Sequence, residues 1–372
     1  MKHGFKAFDS DMHVYDSADL YEKYMNPRWG QRIPRGQRNG KHGRVEFRLG
    51  GGTKLRAITD VIDHGQKQVA DRYDFAVARD YDPPSQVQAM DMEGLDVAVL
   101  FRTSPLHCDE TLEAEYANDL CKAWNSWIAD FCRVSPKRLK ASALITLHDV
   151  DLAIEEVRRA VNELGVSGLS LCPEPINGKF IHDRHFDPLW AEIEKLGVAL
   201  CFHPPARPKQ DQVANKFFGH PNGDIVALAL RNPVELILAV SEFCAGGVLE
   251  KFPKLRVAFL EGNCAWLPWL LYRLDERAKL HGALADVPLS KKPSDYFFQQ
   301  CFISVDPDEY LVADVISRIG DDNILISTDY PHIDAAFPHA LDEFLAIEEI
   351  SDASRRKILW DNCVRLYGVT DS

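Results

Sequence analysis

Three apolar stretches of this 372-residue chain each deliver a carboxylate or an imidazole at one end. Ile324-Leu-Ile-Ser-Thr-Asp-Tyr-Pro-His332 ends on Asp329 and His332; Lys6-Ala-Phe-Asp-Ser-Asp-Met-His-Val14 carries Asp11 and His13; Gly197-Val-Ala-Leu-Cys-Phe-His-Pro204 carries His203. Two imidazoles and two carboxylates at one point suit a single divalent cation, zinc first and manganese or iron next, with positions left for water or substrate. Such an ion polarises a bound oxygen or lowers the pKa of bound water. Asp11 and His13 are two residues apart, and strand side chains repeat on one face every second residue. One strand can therefore offer both. Each residue also has a plain structural role open to it: Asp11 as a turn or cap residue, His203 as a packed histidine before two prolines, Asp329 as the partner of a buried arginine.

Glu261 ends another apolar run, Leu255-Arg-Val-Ala-Phe-Leu-Glu261. A carboxylate there is costly to bury unless it is paired or functional. It is a candidate general acid or base, with a salt bridge to Arg102 or Arg273 as the alternative. Asp329 shares the catalytic assignment. Arg102 and Arg273 are candidates to hold a substrate carboxylate, and Trp266 and His332 to line its pocket; His332 also fits a simple turn. His3, His42, His64, His107, His182, His185, His220, His281 and His339 have no context beyond surface or capping roles.

These residues need strands to carry them. Near-continuous apolar runs alternate with amphipathic ones: Val97–Arg102, Leu139–Leu147 and Val166–Leu171 are strand-like, as is Cys301–Val305. Between Glu113 and Val134, Leu120, Trp124, Trp127, Ile128 and Phe131 mark one buried helix face. Helices are expected at 84–93, 149–164, 187–196, 246–252, 266–280, 307–319, 338–348 and 352–366, and over 225–243 as one or two pieces interrupted before Pro233. Eight strand candidates alternating with helices predict a parallel sheet covered on both faces, and favour a (β/α)8 TIM barrel over an open doubly wound sheet. The open sheet would more usually show G-x-G-x-x-G after its first strand, which is missing here. On the barrel reading the strand ends present Asp11 with His13, then Arg102, His148, Cys172, His203, Glu261, Asp306 and Asp329. Without an internal repeat or low-complexity linker, residues 1–372 read as one domain. The polar region at about 15–90 is an excursion after the first strand, a lid or a dimer arm. It holds Arg35, Arg38, Lys41, Arg44 and the glycine run Gly50–Gly52, which lacks the Gly-Lys-Ser/Thr of a phosphate loop.

Composition narrows the partners. A net charge of −13 argues against nucleic acid or an anionic membrane. There is no apolar run long enough for a membrane span, and the first residues lack the apolar core of a signal peptide. Nine scattered cysteines without C-x-x-C suggest reduced thiols and a cytoplasmic setting.

In this order, Asp11-Met-His13, Asp91-Met-Glu-Gly-Leu-Asp96, Asp187-Pro-Leu-Trp190, Phe202-His-Pro204, Gly247-Val-Leu-Glu-Lys-Phe-Pro-Lys-Leu255, Trp266-Leu-Pro268 and Ser327-Thr-Asp-Tyr-Pro-His332 resemble the amidohydrolase-related proteins of the aminocarboxymuconate-semialdehyde decarboxylase type. The resemblance spans nearly the whole chain. It implies a distorted (β/α)8 barrel with one divalent metal on Asp11, His13, His203 and Asp329, and a homodimer or higher homo-oligomer. It also implies non-oxidative decarboxylation, or hydrolysis, of a small carboxylated aromatic or ring-cleavage compound. Tyr15 stands where many members have a second histidine, which gives the ligand role to Asp11. Glu261 stands near the catalytic histidine of decarboxylating members. A carboxylate there suits hydrolysis of a C–C, amide or ester bond by metal-activated water, so hydrolase stands beside carboxy-lyase. A non-catalytic barrel is the remaining alternative, and a retained flavin or nicotinamide a weaker one.

Overall fold

A computed structural model describes residues 1–38, 45–48, 54–55, 70–103, 110–204 and 214–369. Its main sheet has eight strands: β1 (Phe8–Val14), β2 (Val97–Arg102), β3 (Leu139–Leu144), β4 (Gly168–Leu171), β5 (Ala199–Phe202), β6 (Val257–Phe259), β7 (Cys301–Val305) and β8 (Ile324–Ile326). They are hydrogen-bonded in sequence order, and every ladder between them is parallel. A doubly wound sheet would reverse its strand order at a switch point. This one does not, and it curls into a nearly closed (β/α)8 barrel.

Two apolar layers hold it. Phe8, Val97, Val99, Phe101, Ala258, Leu260, Phe302 and Leu325 pack with Cys363, Leu366 and Tyr367 of the last helix. That helix is tied in where Tyr367 Oη donates to the Ser10 carbonyl (2.7 Å) and Cys363 Sγ to that of Phe8 (3.2 Å). The larger layer lies between strands and helices, and contains Leu120, Trp124, Trp127, Ile128 and Phe131 of the helix Ala114–Cys132, on the face its sequence periodicity marks. Asn125 of that helix is fully buried. It bonds both the N–H and the carbonyl of Leu144 and donates to Glu156, which is paired with Arg159.

The seam between β1 and β8 carries no ladder among the described residues; side chains join it. Ser10 Oγ donates to the Ile326 carbonyl (2.7 Å) and Ser327 Oγ to that of Asp11 (3.1 Å). The Asp9 carboxylate accepts from the amides of Asp11 (3.1 Å) and Thr328 (3.2 Å) and from the Thr328 hydroxyl. The His13 amide donates to the Tyr330 carbonyl (2.6 Å). β1 also carries a bulge: Asp9 pairs with Ala98 but Met12 with Leu100, three steps against two.

The elements differ from the sequence expectation in places. The helix Gly223–Ala245 runs through Pro233 without a break; proline removes one donor and tends to kink a helix, but tertiary packing of Leu236, Ala239, Val240 and Phe243 holds it together. A helix at Pro293–Gln300 is additional, its short polar start hiding the period. Expected helices shorten to Val312–Ile319 and Ala340–Leu345. The excursion contains a helix at Leu20–Tyr24, a 3-10 turn at Pro27–Arg32 and a three-stranded antiparallel sheet of Arg35–Arg38, Val45–Arg48 and Lys54–Leu55. Lys41, Arg44, Gly50–Gly52, His42, His64 and His107 lie outside the described residues. No helix among the described residues is long and apolar enough to cross a membrane. Cys121, Cys132, Cys201, Cys244, Cys264, Cys301 and Cys363 are free and buried. Cys172 is disulfide-bonded, which corrects the expectation of reduced thiols throughout; spacing along a chain does not report which cysteines a barrel brings together.

Two substitutions test this framework. Asn125→Leu strands the Leu144 backbone groups and disturbs the Glu156–Arg159 pair, and should lower the free energy of unfolding by about 4 kcal/mol in urea titration. Asp9→Ala should cost about 3 kcal/mol by the same measurement and, because it releases Asp11 and Thr328 together, should also lower the metal content of the purified protein.

Candidate metal centre and active site

Six strand-end residues meet at the mouth of the barrel. Asp11 and His13 come from β1, His203 follows β5, Glu261 follows β6, and Asp329 and His332 follow β8. The two imidazoles are oriented by their backs. His13 Nδ1 donates to the Arg102 carbonyl (2.7 Å) and His203 Nδ1 to that of Pro204 (3.1 Å). Each ring therefore presents Nε2 inward, and the two Nε2 atoms are 3.1 Å apart. A backbone acceptor on the far nitrogen is how metal-ligating histidines are usually fixed.

The carboxylates surround that pair. Asp11 Oδ1 is 3.4 Å from His13 Nε2, and its Oδ2 is 3.5 Å from His203 Nε2. Asp329 Oδ1 is 3.2 Å from His13 Nε2 and 2.7 Å from His332 Nδ1. Glu261 Oε2 is 2.7 Å from His203 Nε2 and 3.8 Å from His13 Nε2. Glu261 and Asp329 use the same backbone device. Both are left-handed, with φ of 59° and 55°, a conformation costing non-glycine residues of order 1 kcal/mol. In each case a short strand is turned at its end and a carboxylate directed back toward the mouth. The Glu261 turn is anchored: its amide donates to Ser304 Oγ (3.0 Å), and Trp266 Nε1 donates to the Gly262 carbonyl (2.7 Å). Gly262 is pressed onto the neighbouring helix so closely that a Cβ would meet Leu236 Cδ1 at 2.5 Å.

The residues fit a cation. Both oxygens of Asp11 are buried and accept no hydrogen bond among the described residues, which is expensive for a charged group unless an ion completes it. Without one, burial pushes the Asp11 carboxyl up to about 7. Burial, with His332 and His203 nearby, pushes His13 well below the usual imidazole range. Burial also opposes charge on His203, but Asp11 and Glu261 prevail and raise it. Burial opposes charge on Glu261 too, and there His203 prevails and holds it low. Asp329 is raised well above the carboxylate range by burial and then by Glu261 and other acids.

The site opens into a cavity of about 420 Å3. Its lining includes His13, Arg102, His203, Glu261, Asp306, Asp329 and His332, together with Arg231, Asn232 and Pro233. Arg102 is 2% exposed, its guanidinium donating to Cys172 Sγ (3.3 Å) and lowered by burial to about 10. Asp306, bonded by Asn263 Nδ2 (2.7 Å), is raised to about 8 by burial and by Glu309. The structure does not bring Arg273 or Trp266 to the cavity: both belong to the segment that forms the helix after β6, Arg273 within it and Trp266 at its start, where its indole braces the Gly262 turn. His148 and Cys172 also lie off the lining; His148 contacts Thr146 Oγ1. Tyr15 is turned away, donating to the Pro331 carbonyl (3.3 Å).

Two contributors carry little sequence signal. Asn232 donates to Glu261 Oε1 (3.0 Å), yet an asparagine before a proline reads as a helix break. Tyr73, inside the polar excursion, donates to the His332 carbonyl (3.0 Å). Asp9 stands out only as a second acid in a buried strand.

The chain is similar to known proteins along nearly its whole length. A family model described as amidohydrolase matches residues 9–369. The 2-amino-3-carboxymuconate-6-semialdehyde decarboxylase of Dictyostelium discoideum is 26% identical over 290 residues, covering 78% of this chain and 77% of the relative. The gamma-resorcylate decarboxylase of Rhodococcus jostii (strain RHA1) is 28% identical over 294 residues, covering 76% and 86%. Among solved structures, the dihydroxybenzoic acid decarboxylase of Polaromonas sp. JS666, with bound manganese and 2-nitroresorcinol, superposes with a TM-score of 0.69 at 21% identity, covering 99% of this chain and 98% of that one. With its eight parallel strands, its cluster of acids and imidazoles at their ends and a family match over nearly its full length, the chain belongs to the amidohydrolase family.

Proposed function

We propose that this protein is a metal-dependent carboxy-lyase that removes CO2, without redox chemistry, from a small aromatic or ring-cleavage carboxylate. The observation that carries the reading is the pair of inward-facing Nε2 atoms beside the two unbonded oxygens of buried Asp11, opening on a cavity of single-ring size. Two curated relatives are named as decarboxylases of such compounds, which supports the substrate class. Asp11, His13 and His203, with a carboxylate from Asp329 or Glu261, hold the ion. Zinc suits the donor types, and the manganese of the structural relative makes that metal the other choice. When bound, the ion supplies positive charge that organises substrate oxygens and offsets the acids of the wall.

The chain's own groups account for the remaining steps. Arg102, with Arg231 of the same cavity lining, orients the substrate carboxylate. The bond between ring carbon and carboxyl carbon breaks, its electron pair stays on the ring carbon, and CO2 leaves. The carbon takes a proton from the Asp329 carboxyl. Asp329 regains its proton through His332, whose Nδ1 is 2.7 Å away. Trp269, Tyr272 and Leu311 are exposed along one groove, which supports a homo-oligomer.

The test is CO2 release from a panel of hydroxybenzoates and ring-cleavage carboxylates by zinc- or manganese-loaded protein. Asp329→Asn should lower kcat by about 10²–10⁴-fold. His203→Ala should purify without stoichiometric metal and without turnover. Ester or amide hydrolysis with no CO2 release would replace this reading with the hydrolase one.

A further inference from the structure

We infer that Asp306, held by Asn263, selects the substrate by its second substituent: it accepts a hydrogen bond from a ring hydroxyl or amino group and turns away a second carboxylate. This rests on the carboxylate-binding reading above. It narrows the substrate class of the same site to monocarboxylates that also bear a hydrogen-bond donor.

Asp306 follows β7 and lines the cavity. The metal centre does not need it: among the described residues it belongs to neither group of potential ligands, Asp11 with His13, His203 and Glu261, or His13 with Glu261, Asp329 and His332. Its carboxylate is nevertheless firmly mounted. Asn263 Nδ2 donates to Asp306 Oδ2 at 2.7 Å, which leaves Oδ1 as the acceptor for the cavity. Asn263 is itself left-handed, with φ of 58°, a conformation that asparagine tolerates better than most residues. The turn that carries it is clasped by the loop after β7. Glu309 accepts from the amides of Cys264 and Ala265, each at 2.9 Å, while its own amide donates to the Asp306 carbonyl at 3.1 Å. The two loops are thus tied together around Asp306. Such support is what a group that reads a substrate requires.

Charge decides what it reads. The lining carries Asp308 and Asp334, both exposed, as well as Asp306. Arg102 and Arg231 are engaged with the carboxylate that is lost, and a dication is already balanced by Asp11 and the acid that joins it. Asp306, Asp308 and Asp334 are surplus to both. A second substrate carboxylate near them meets like charge, which selects against it. A hydroxyl or an amino N–H meets an acceptor whose other oxygen is already fixed. An analogue without a donor leaves that acceptor unpaired, and sites built this way discriminate strongly.

The experiment measures dissociation constants by calorimetry on zinc-loaded protein. The ligands are salicylates carrying a hydroxyl, amino, methoxy or carboxylate group either para or meta to the shared carboxylate. At one of these positions, wild type is expected to bind the hydroxyl or amino compound about tenfold or more tighter than the methoxy and carboxylate compounds. Asp306→Ala should bring that ratio to within about threefold of unity. Asp306→Asn keeps its oxygen for Asn263 and turns an N–H to the cavity, so it should reverse the order. Asn263→Gly keeps the left-handed turn but removes the donor, and should reduce the ratio. Each ratio is taken within one protein, so a general loss of stability or of metal does not move it. A wild-type ratio near unity at both positions overturns the inference, as does a ratio that survives in both Asp306 variants. If Asp306→Ala fails to fold, Asp306→Asn decides. The two levels are distinguishable: zinc-loaded wild type that binds none of the salicylates sinks the carboxylate reading and this inference with it, whereas wild type that binds them all alike sinks only the role of Asp306.

Discussion

The barrel is joined between its first and last strands by polar side chains, and the site depends on that seam. Seven of the ladder positions in the barrel are ordinary parallel pairings. Between β1 and β8 the work falls to Ser10, Ser327 and above all the buried Asp9, which holds the amides of Asp11 and Thr328 at once. Asp11 and His13 stand on one side of the seam and Asp329 on the other. Their separation is therefore set by a few hydrogen bonds in a place where water cannot compete. The β1 bulge belongs to the same device: an extra residue between Asp9 and Met12 lets one acid serve the seam while the next serves the site.

Electrostatics then imposes a second constraint. Glu261, Asp306, Asp308, Asp329 and Asp334 face the same cavity as Arg102 and Arg231. Empty of cations, such a wall disfavours its own ionisation, which is why burial and mutual repulsion push Asp306 and Asp329 upward. A dication reverses that preference for the groups nearest it and turns an acid-lined cavity into one that can accept an anion.

Much of this was legible in the sequence, for identifiable reasons. Barrel strands are buried on both faces, so Val97–Arg102 and Cys301–Val305 read as apolar runs and keep those limits in the structure. Chemistry at strand ends is legible because a polar residue closing an apolar run is costly: Asp11, His13, His203, Glu261 and Asp329 all meet at the mouth. What stayed hidden depends on backbone geometry or on distant contacts. Arg273 and Trp266 look as suitable as Arg102 until the direction of the helix after β6 is known. Asn232 looks like a break because Pro233 follows it, although the helix continues. Neither the left-handed turns at Glu261 and Asp329 nor the pairing of Asp329 with His332 has a local signature, since no glycine marks the two acids.

The excursion after β1 shows how far this dependence reaches. Read as sequence it is a lid or an arm, a thing apart from the barrel. In the structure its later part is fastened to the β8 loop: Tyr73 donates to the His332 carbonyl, its ring packs on Tyr330 and Phe337, and Arg72 Nη1 reaches the Ala335 carbonyl at 3.5 Å. Gln86, in the helix Pro83–Glu93, donates to the His13 carbonyl at 3.0 Å. Both ends of the seam are thus braced from outside the barrel by residues in or next to a region whose polar composition gave no reason to connect it with the site. Tyr73 and Gln86 hold the main chain of His332 and His13, so a movement of this segment is coupled to the imidazoles of the site.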